Sequence, residues 1–192
     1  MQKIIAATKN KNKVREFKEI LPDFDIITQE EAGIDLDVEE TGTTFRENAL
    51  LKAQAIFEKT GIPALADDSG LEVFALGGQP GVYSARYGGE GLDDFGRLKL
   101  LLKNMENVED ELRGAQFVCS IAFVTAEKTY EAEGICEGTI IREPRGENGF
   151  GYDPVFFVPE FGKTTAEMSS DEKNSISHRG KALRHLADVI KE

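Results

Sequence analysis

The chain lacks the marks of several large classes of protein. No apolar stretch approaches the roughly 20 residues that a membrane-crossing helix needs, so no membrane partner is expected. The apolar part of Met1–Ala7 is too short for a signal peptide and reads better as a first buried strand. There are only two cysteines, Cys119 and Cys136, and they lack metal-type spacing. They read as reduced packing residues in a cytoplasmic protein. Basic residues are outnumbered 23 to 35 and the net charge is -12, so no nucleic-acid polymer is expected as a partner. No repeat, low-complexity tract or linker interrupts the 192 residues, 40% of them hydrophobic. That suits one compact domain, or two small lobes sharing a core.

Against this acidic background two basic stretches stand out, Lys9–Lys13 and Lys173–Lys181. The pattern between and around them alternates strand and helix. Ile4–Ala7 reads as strand, Val14, Phe17 and Leu21 recur at helical spacing, and Phe24–Thr28 is a second strand. Residues 30–42 are acidic and irregular. Thr44 and Glu47 make a capping-box pattern before a helix whose apolar face carries Phe45, Ala49, Ala53 and Ile56, stopped by Gly61 and Pro63. A short strand, 62–66, then runs into Asp67-Asp68-Ser69-Gly70, and Leu71–Leu76 is read as a separate strand. Asp93–Met105 is helical, Ala115–Ala126 and Thr129–Glu143 form an antiparallel pair joined near Glu127-Lys128, Tyr152–Val158 is strand, and a last helix starts near Ser177. This order predicts an α/β fold built on a mixed sheet.

Four groups of residues can carry chemistry. Asp67 and Asp68 close an apolar run, where burying a charge is costly unless a partner neutralises it, and a divalent cation is one such partner. With Glu39 and Glu40 they supply more carboxylates than the one or two that magnesium takes from a protein. Thr8, Lys9, Asn10, Lys11, Asn12 and Lys13 lie where a strand turns into a helix, whose unpaired N–H groups attract phosphate. This is not a Walker A loop, for it has no glycine. In Gly149-Phe150-Gly151-Tyr152-Asp153, glycines flank two aromatics, so either ring can stack on a base and Asp153 can accept a hydrogen bond from a base or a main-chain donor. Lys173, His178 and Arg179 gather at the entry to the last helix, and Lys and Arg are donors only.

Six segments together resemble one family. Thr8-x-Asn10-x-x-Lys13, Glu39–Gly42 with Phe45–Ala49 and Lys52-Ala53, Ala66–Leu71, Pro80–Tyr87, Gly149–Pro154 and Ser177–Leu183 occur in the order seen in the inosine triphosphate pyrophosphatase family, also called Ham1 or RdgB-like. The resemblance implies hydrolysis of ITP, dITP and XTP to the monophosphate and pyrophosphate, with Mg2+. It implies an elongated mixed β-sheet with flanking helices, forming two lobes of a single domain around a central cleft, and a homodimer. By position it implies that Thr8–Lys13 and Lys52 hold the phosphates, that Glu39 and Asp68 are metal ligands, and that Asp68 is also the general base. Ser69 falls on the substrate, and Phe150, Gly151, Tyr152, Asp153, Lys173, His178 and Arg179 on the base. The sequence leaves open Glu39 against Glu40, the share of Asp67, and how guanine is excluded. A donor-only wall of Lys173 and Arg179 favours the 6-oxygen of hypoxanthine or xanthine over the amino group of adenine. The alternatives are a Maf-like pyrophosphatase for other modified nucleotides and a non-catalytic nucleotide-binding module.

Overall fold

A computed structural model describes residues 1–191. Seven strands form one sheet: β1 (Gln2–Ala6), β2 (Phe24–Thr28), β3 (Ala64–Val73), β4 (Gly114–Val124), β5 (Thr129–Ile140), β6 (Phe156–Val158) and β7 (Lys163–Thr164). Their order is β2-β1-β3-β4-β5-β6-β7. β1 pairs parallel with β2 and β3, while β6 pairs antiparallel with β5 and β7. β4 and β5 are neighbours joined by a short turn in which Thr125 N–H donates to the Lys128 carbonyl, a connection that only antiparallel strands can make. The sheet is therefore mixed, as the element order predicts. The helices are α1 (Lys11–Ile20), α2 (Phe45–Thr60), α3 (Asp94–Asn104), α4 (Ser170–Ile176) and α5 (His178–Lys191).

The chain divides into two compact units. The first holds residues 1–68, 119–134 and the segment from 178 onward, and the second holds 69–118 and 135–177. The first unit has two apolar clusters. One joins Val14 and Phe17 of α1 to Leu183 and Leu186 of α5 through Ile4, Leu65 and Phe123, and the other packs Ala49, Ala53 and Ile56 of α2 on Ile5, Ala64 and Ala122. The second unit has its own core of Leu71, Val73, Leu98, Leu101, Phe117 and Phe156.

Three readings of the sequence are corrected. The Asp pair does not end a strand: β3 runs unbroken from Ala64 through Asp67 and Asp68 to Val73, and only 74–76 leave the ladder, as a 3₁₀ turn. Asp, Ser and Gly favour turns locally, but the partners of Asp67 come from distant helices and let its charge stay inside the sheet. The segment read as strand from Tyr152 opens with a 3₁₀ turn, Asp153–Val155, before β6. The last helix is preceded by a separate one, α4, whose N-terminus is closed by a reciprocal Ser169–Glu172 capping box.

Within the first unit, β5 lies directly against the start of α5. A Cβ on Gly134 would stand 2.2 Å from the His178 carbonyl oxygen and 2.5 Å from the Ala182 nitrogen. Both obstacles are backbone, so neither can rotate away. Gly134→Ala is expected to cost about 1–3 kcal/mol as the helix is pushed off the strand, read as a lower denaturant midpoint at unchanged slope. An unchanged midpoint would show that the two elements can separate freely.

Candidate active site

The acidic site of the first unit is assembled from β3, α1, α2, α5 and the irregular acidic segment. Asp67 is fully buried. Lys13 Nζ lies 3.1 Å from its Oδ1, Arg179 Nε donates to its Oδ2 at 3.0 Å, and the Cys119 thiol lies 3.8 Å from Oδ2. Burial alone would raise the carboxyl, but Lys13, Arg179 and Lys52 outweigh it and hold the group well below the ordinary aspartate value. Arg179 also donates through Nη1 to Glu16, itself buried on α1. Burial would lower the guanidinium, and Asp67 and Glu16 instead push it up. Glu16–Arg179–Asp67–Lys13 is thus a chain of alternating charge, buried at Glu16, Arg179 and Asp67 and half-buried at Lys13.

Asp68, the next residue along β3, faces other partners. Asn48 Nδ2 donates to its Oδ2 at 3.0 Å, and Lys52 Nζ is 3.9 Å from Oδ1. Burial raises this carboxyl, Lys52 opposes, Glu40 adds to the rise, and the net shift is upward. The two adjacent aspartates therefore move in opposite directions. Lys52 Nζ also donates to Glu40 Oε1 at 2.6 Å, so one ammonium is shared by Glu40 and Asp68. Burial would lower Lys52, but Asp67, Asp68 and Glu40 raise it. Asn48 lies in the Phe45–Ala49 segment, near the start of α2. Its Oδ1 accepts the Gly42 N–H at 2.7 Å, tying the acidic segment to the strand through one buried amide. A Cβ on Gly42 would lie 2.6 Å from that Oδ1, which leaves glycine as the residue that fits.

Whether magnesium suits this site follows from the donors. No group of three or more His, Cys, Asp or Glu side chains able to hold a metal occurs among the described residues. Two carboxylates already converge on one cation, and magnesium asks for one or two, with water and phosphate oxygens completing its shell. Glu40 is one of the pair, whereas Glu39, the sequence candidate, is exposed and offers its carbonyl to Thr41 N–H. The donor set fits.

The phosphate-side loop differs from expectation in one respect. Asn10 is the N-cap of α1, and its side chain accepts the Asn12 and Lys13 N–H groups at 3.0 and 3.4 Å. Two of the N–H groups expected to be open for phosphate thus have a side-chain partner. Thr8 Oγ1 accepts the Asn10 N–H at 3.1 Å and fixes the turn. Lys9 pairs loosely with Asp37 at the surface, and Lys11 opens the helix.

The aromatic site lies in the second unit. Of its two rings, Tyr152 is packed in the core, donates its hydroxyl to the Ser84 carbonyl at 2.7 Å, and is raised by burial. Phe150 is the half-buried ring, with Lys173 Nζ 4.8 Å from its centroid. Asp153 accepts a main-chain donor, Phe150 N–H at 2.9 Å, and the Lys173 ammonium at 2.8 Å. Gly151 N–H donates to Asp94 at 3.3 Å. Of the two donors expected on the base, each has carboxylate partners of its own. Lys173 belongs to this site, whereas Arg179 belongs to the first unit and gives Nε and Nη1 to Asp67 and Glu16. His178 opens α5 as a buried side chain of the first unit, and Ser69 follows Asp68 at the start of the second.

The sequence pattern of the Ham1 family matches residues 4–189. The chain belongs to the Ham1 family. It is 51% identical to the dITP/XTP pyrophosphatase of Bacillus licheniformis, over 99% of this chain and 98% of that one. Among solved structures, a HAM1 protein from Coxiella burnetii superposes with a TM-score of 0.90 at 46% identity, covering 100% of this chain and 99% of the other. The Staphylococcus aureus Ham1 protein does so with a TM-score of 0.89 at 44% identity, covering 99% and 98%. This Ham1 chain thus shares the α/β fold of those structures along its whole length. No helix among the described residues is long and apolar enough to cross a membrane.

Proposed function

We propose that the chain hydrolyses the deaminated purine nucleoside triphosphates ITP, dITP and XTP to the monophosphate and pyrophosphate. The observation that carries the chemistry is the pair of carboxylates, Glu40 and Asp68, that share Lys52. Simple phosphate binding has no need of carboxylates beside the phosphates, whereas metal-assisted attack by water does. Asp68 would hold magnesium with a neighbouring glutamate, Glu39 by the resemblance or Glu40 by its place beside Lys52. When bound, magnesium neutralises polyphosphate charge and eases departure of pyrophosphate. Asp68 orients the attacking water toward the α-phosphorus and takes its proton, and its upward shift suits a base. Lys52, Lys13 and the Thr8–Lys13 turn bind phosphate oxygens, and Ser69 contacts the same part of the substrate. Asp67 remains the fixed counter-charge of Lys13 and Arg179.

On the base side Phe150 supplies a stacking face and Lys173 a donor for the 6-oxygen, which adenine lacks. His178 and Arg179 keep the base-side place that the resemblance implies, with Arg179 anchored to carboxylates through two of its nitrogens. The free, buried thiols of Cys119 and Cys136 agree with a reducing cytoplasm. A homodimer rests on the family resemblance.

The test is incubation with magnesium and ITP, XTP, ATP or GTP, with pyrophosphate and phosphate assayed separately. Pyrophosphate is expected from ITP and XTP, with little from ATP or GTP. Phosphate in its place would mean attack at the γ-position. Tight ITP binding without product would make the chain a nucleotide-binding module.

A further inference from the structure

The Asp153 carboxylate is buried, and each of its oxygens is bound to the protein. Oδ2 takes the Phe150 N–H at 2.9 Å and the Lys173 ammonium at 2.8 Å. Oδ1 takes the hydroxyl of Thr165 at 2.8 Å. The same hydroxyl lies 3.2 Å from the Asp153 carbonyl, but it has one proton, and the shorter contact is to the carboxylate. Thr165 is itself buried, in a 3₁₀ turn closed by a Thr164–Glu167 capping box. The aromatic loop rests on this same turn: Asn148 N–H donates to the Ala166 carbonyl at 2.9 Å, and Asn148 Nδ2 to the Met168 carbonyl at 2.9 Å. A Cβ on Gly149 would fall 2.1 Å from Asp153 Oδ2, so the chain entering Phe150 is pressed against the carboxylate.

We propose that Thr165 is a positioning residue for recognition of the 6-oxopurine base, its hydroxyl fixing the Asp153 carboxylate that holds the Phe150 main chain and the Lys173 ammonium. The inference rests on the function proposed above and deepens it. The torsion that turns a carboxylate about its last bond is soft, so one oxygen's partners do not by themselves fix the plane. With Oδ1 unpaired in a buried setting, the carboxylate gains by rotating toward any other donor. That rotation moves Oδ2 away from two donors at once, and the Lys173 ammonium leaves its place over the Phe150 ring. A donor that is no longer aimed loses its preference for a 6-oxygen. Thr165 touches no substrate in this account and acts only through Asp153.

Thr165→Val keeps the shape and deletes the hydroxyl, and Thr165→Ser keeps the hydroxyl. For each, and for the wild type, KM and kcat are measured with ITP and with ATP, and the melting temperature is recorded. For Thr165→Val the KM for ITP is expected to rise about tenfold, with kcat within about twofold and a reduced ITP-over-ATP preference, as fits one lost charge-assisted bond. Thr165→Ser is expected to restore all three. Wild-type KM and preference in Thr165→Val would overturn the assignment. So would a lower melting temperature or active fraction with KM unmoved, or failure of the valine variant to fold, since each assigns the hydroxyl to the fold alone. If the wild type releases no pyrophosphate from ITP, the functional reading falls and this assignment falls with it. If the wild type turns ITP over and the valine variant matches it, only the assignment falls.

Discussion

Asp68→Asn is expected to lower kcat with ITP by about 1,000-fold or more while leaving the fold intact, because on the proposed mechanism it removes the general base and a metal ligand in one substitution. Loss of activity alone would not separate chemistry from damage, but stability does. Burial raises the Asp68 carboxyl, so its ionised form opposes folding at neutral pH. An amide avoids that cost, its oxygen can still accept from Asn48, and Lys52 keeps Glu40 at 2.6 Å. The variant should therefore unfold at the same denaturant concentration as the wild type, or higher. The pH profile carries the same signature. The acid limb of kcat/KM should lie above the ordinary aspartate range, because protonated Asp68 can neither bind metal nor take a proton. Raising magnesium should move that limb to lower pH, since metal and proton compete for the carboxylate. Near-normal turnover by Asp68→Asn, or a limb indifferent to magnesium, would remove Asp68 from the reaction.

Local signals carried much of this molecule. Thr44 and Glu47 announce α2 by three-residue spacing alone, and the reciprocal cap is there, with Glu47 N–H donating to Thr44 Oγ1 at 3.2 Å. The Ser169–Glu172 pair writes the same signature before α4, but seven residues leave too short an apolar pattern to be seen as a helix. What stayed hidden depends on partners far along the chain. Arg179 is 112 positions from Asp67, so no window of sequence reveals that a guanidinium neutralises the middle of β3. Glu39 and Glu40 are indistinguishable in a polar segment, and only Lys52 on α2 separates them. Phe150 and Tyr152 look alike as candidate stacking rings until Ser84 takes the tyrosine hydroxyl. Glu16 stands one helical turn after Lys13, a spacing that places both on one face of α1, yet nothing local says that they serve one ion chain.

That chain sets the second large effect, on stability. Asp67→Asn differs from Asp68→Asn by one position and should behave in the opposite way. Asp67 is the counter-charge of both Lys13 and Arg179, and its amide would take a carboxylate from each, with Glu16 still paired to Arg179. Removing one member of a buried ion network leaves an uncompensated charge, and the expected cost is about 3–5 kcal/mol. Acid behaviour follows from the sign of the shift. The folded carboxyl lies well below its unfolded value of about 3.9, so its stabilisation is complete above that value and is lost progressively as pH falls from there toward the folded one. The asparagine variant should therefore be weaker at neutral pH and lose less on acidification. Urea midpoints from pH 3 to 7 for both variants check this directly. A wild-type midpoint for Asp67→Asn at pH 7 would mean that Arg179 and Lys13 find other partners at no cost. The chain of charges would then contribute nothing to holding Lys13 beside the phosphate loop.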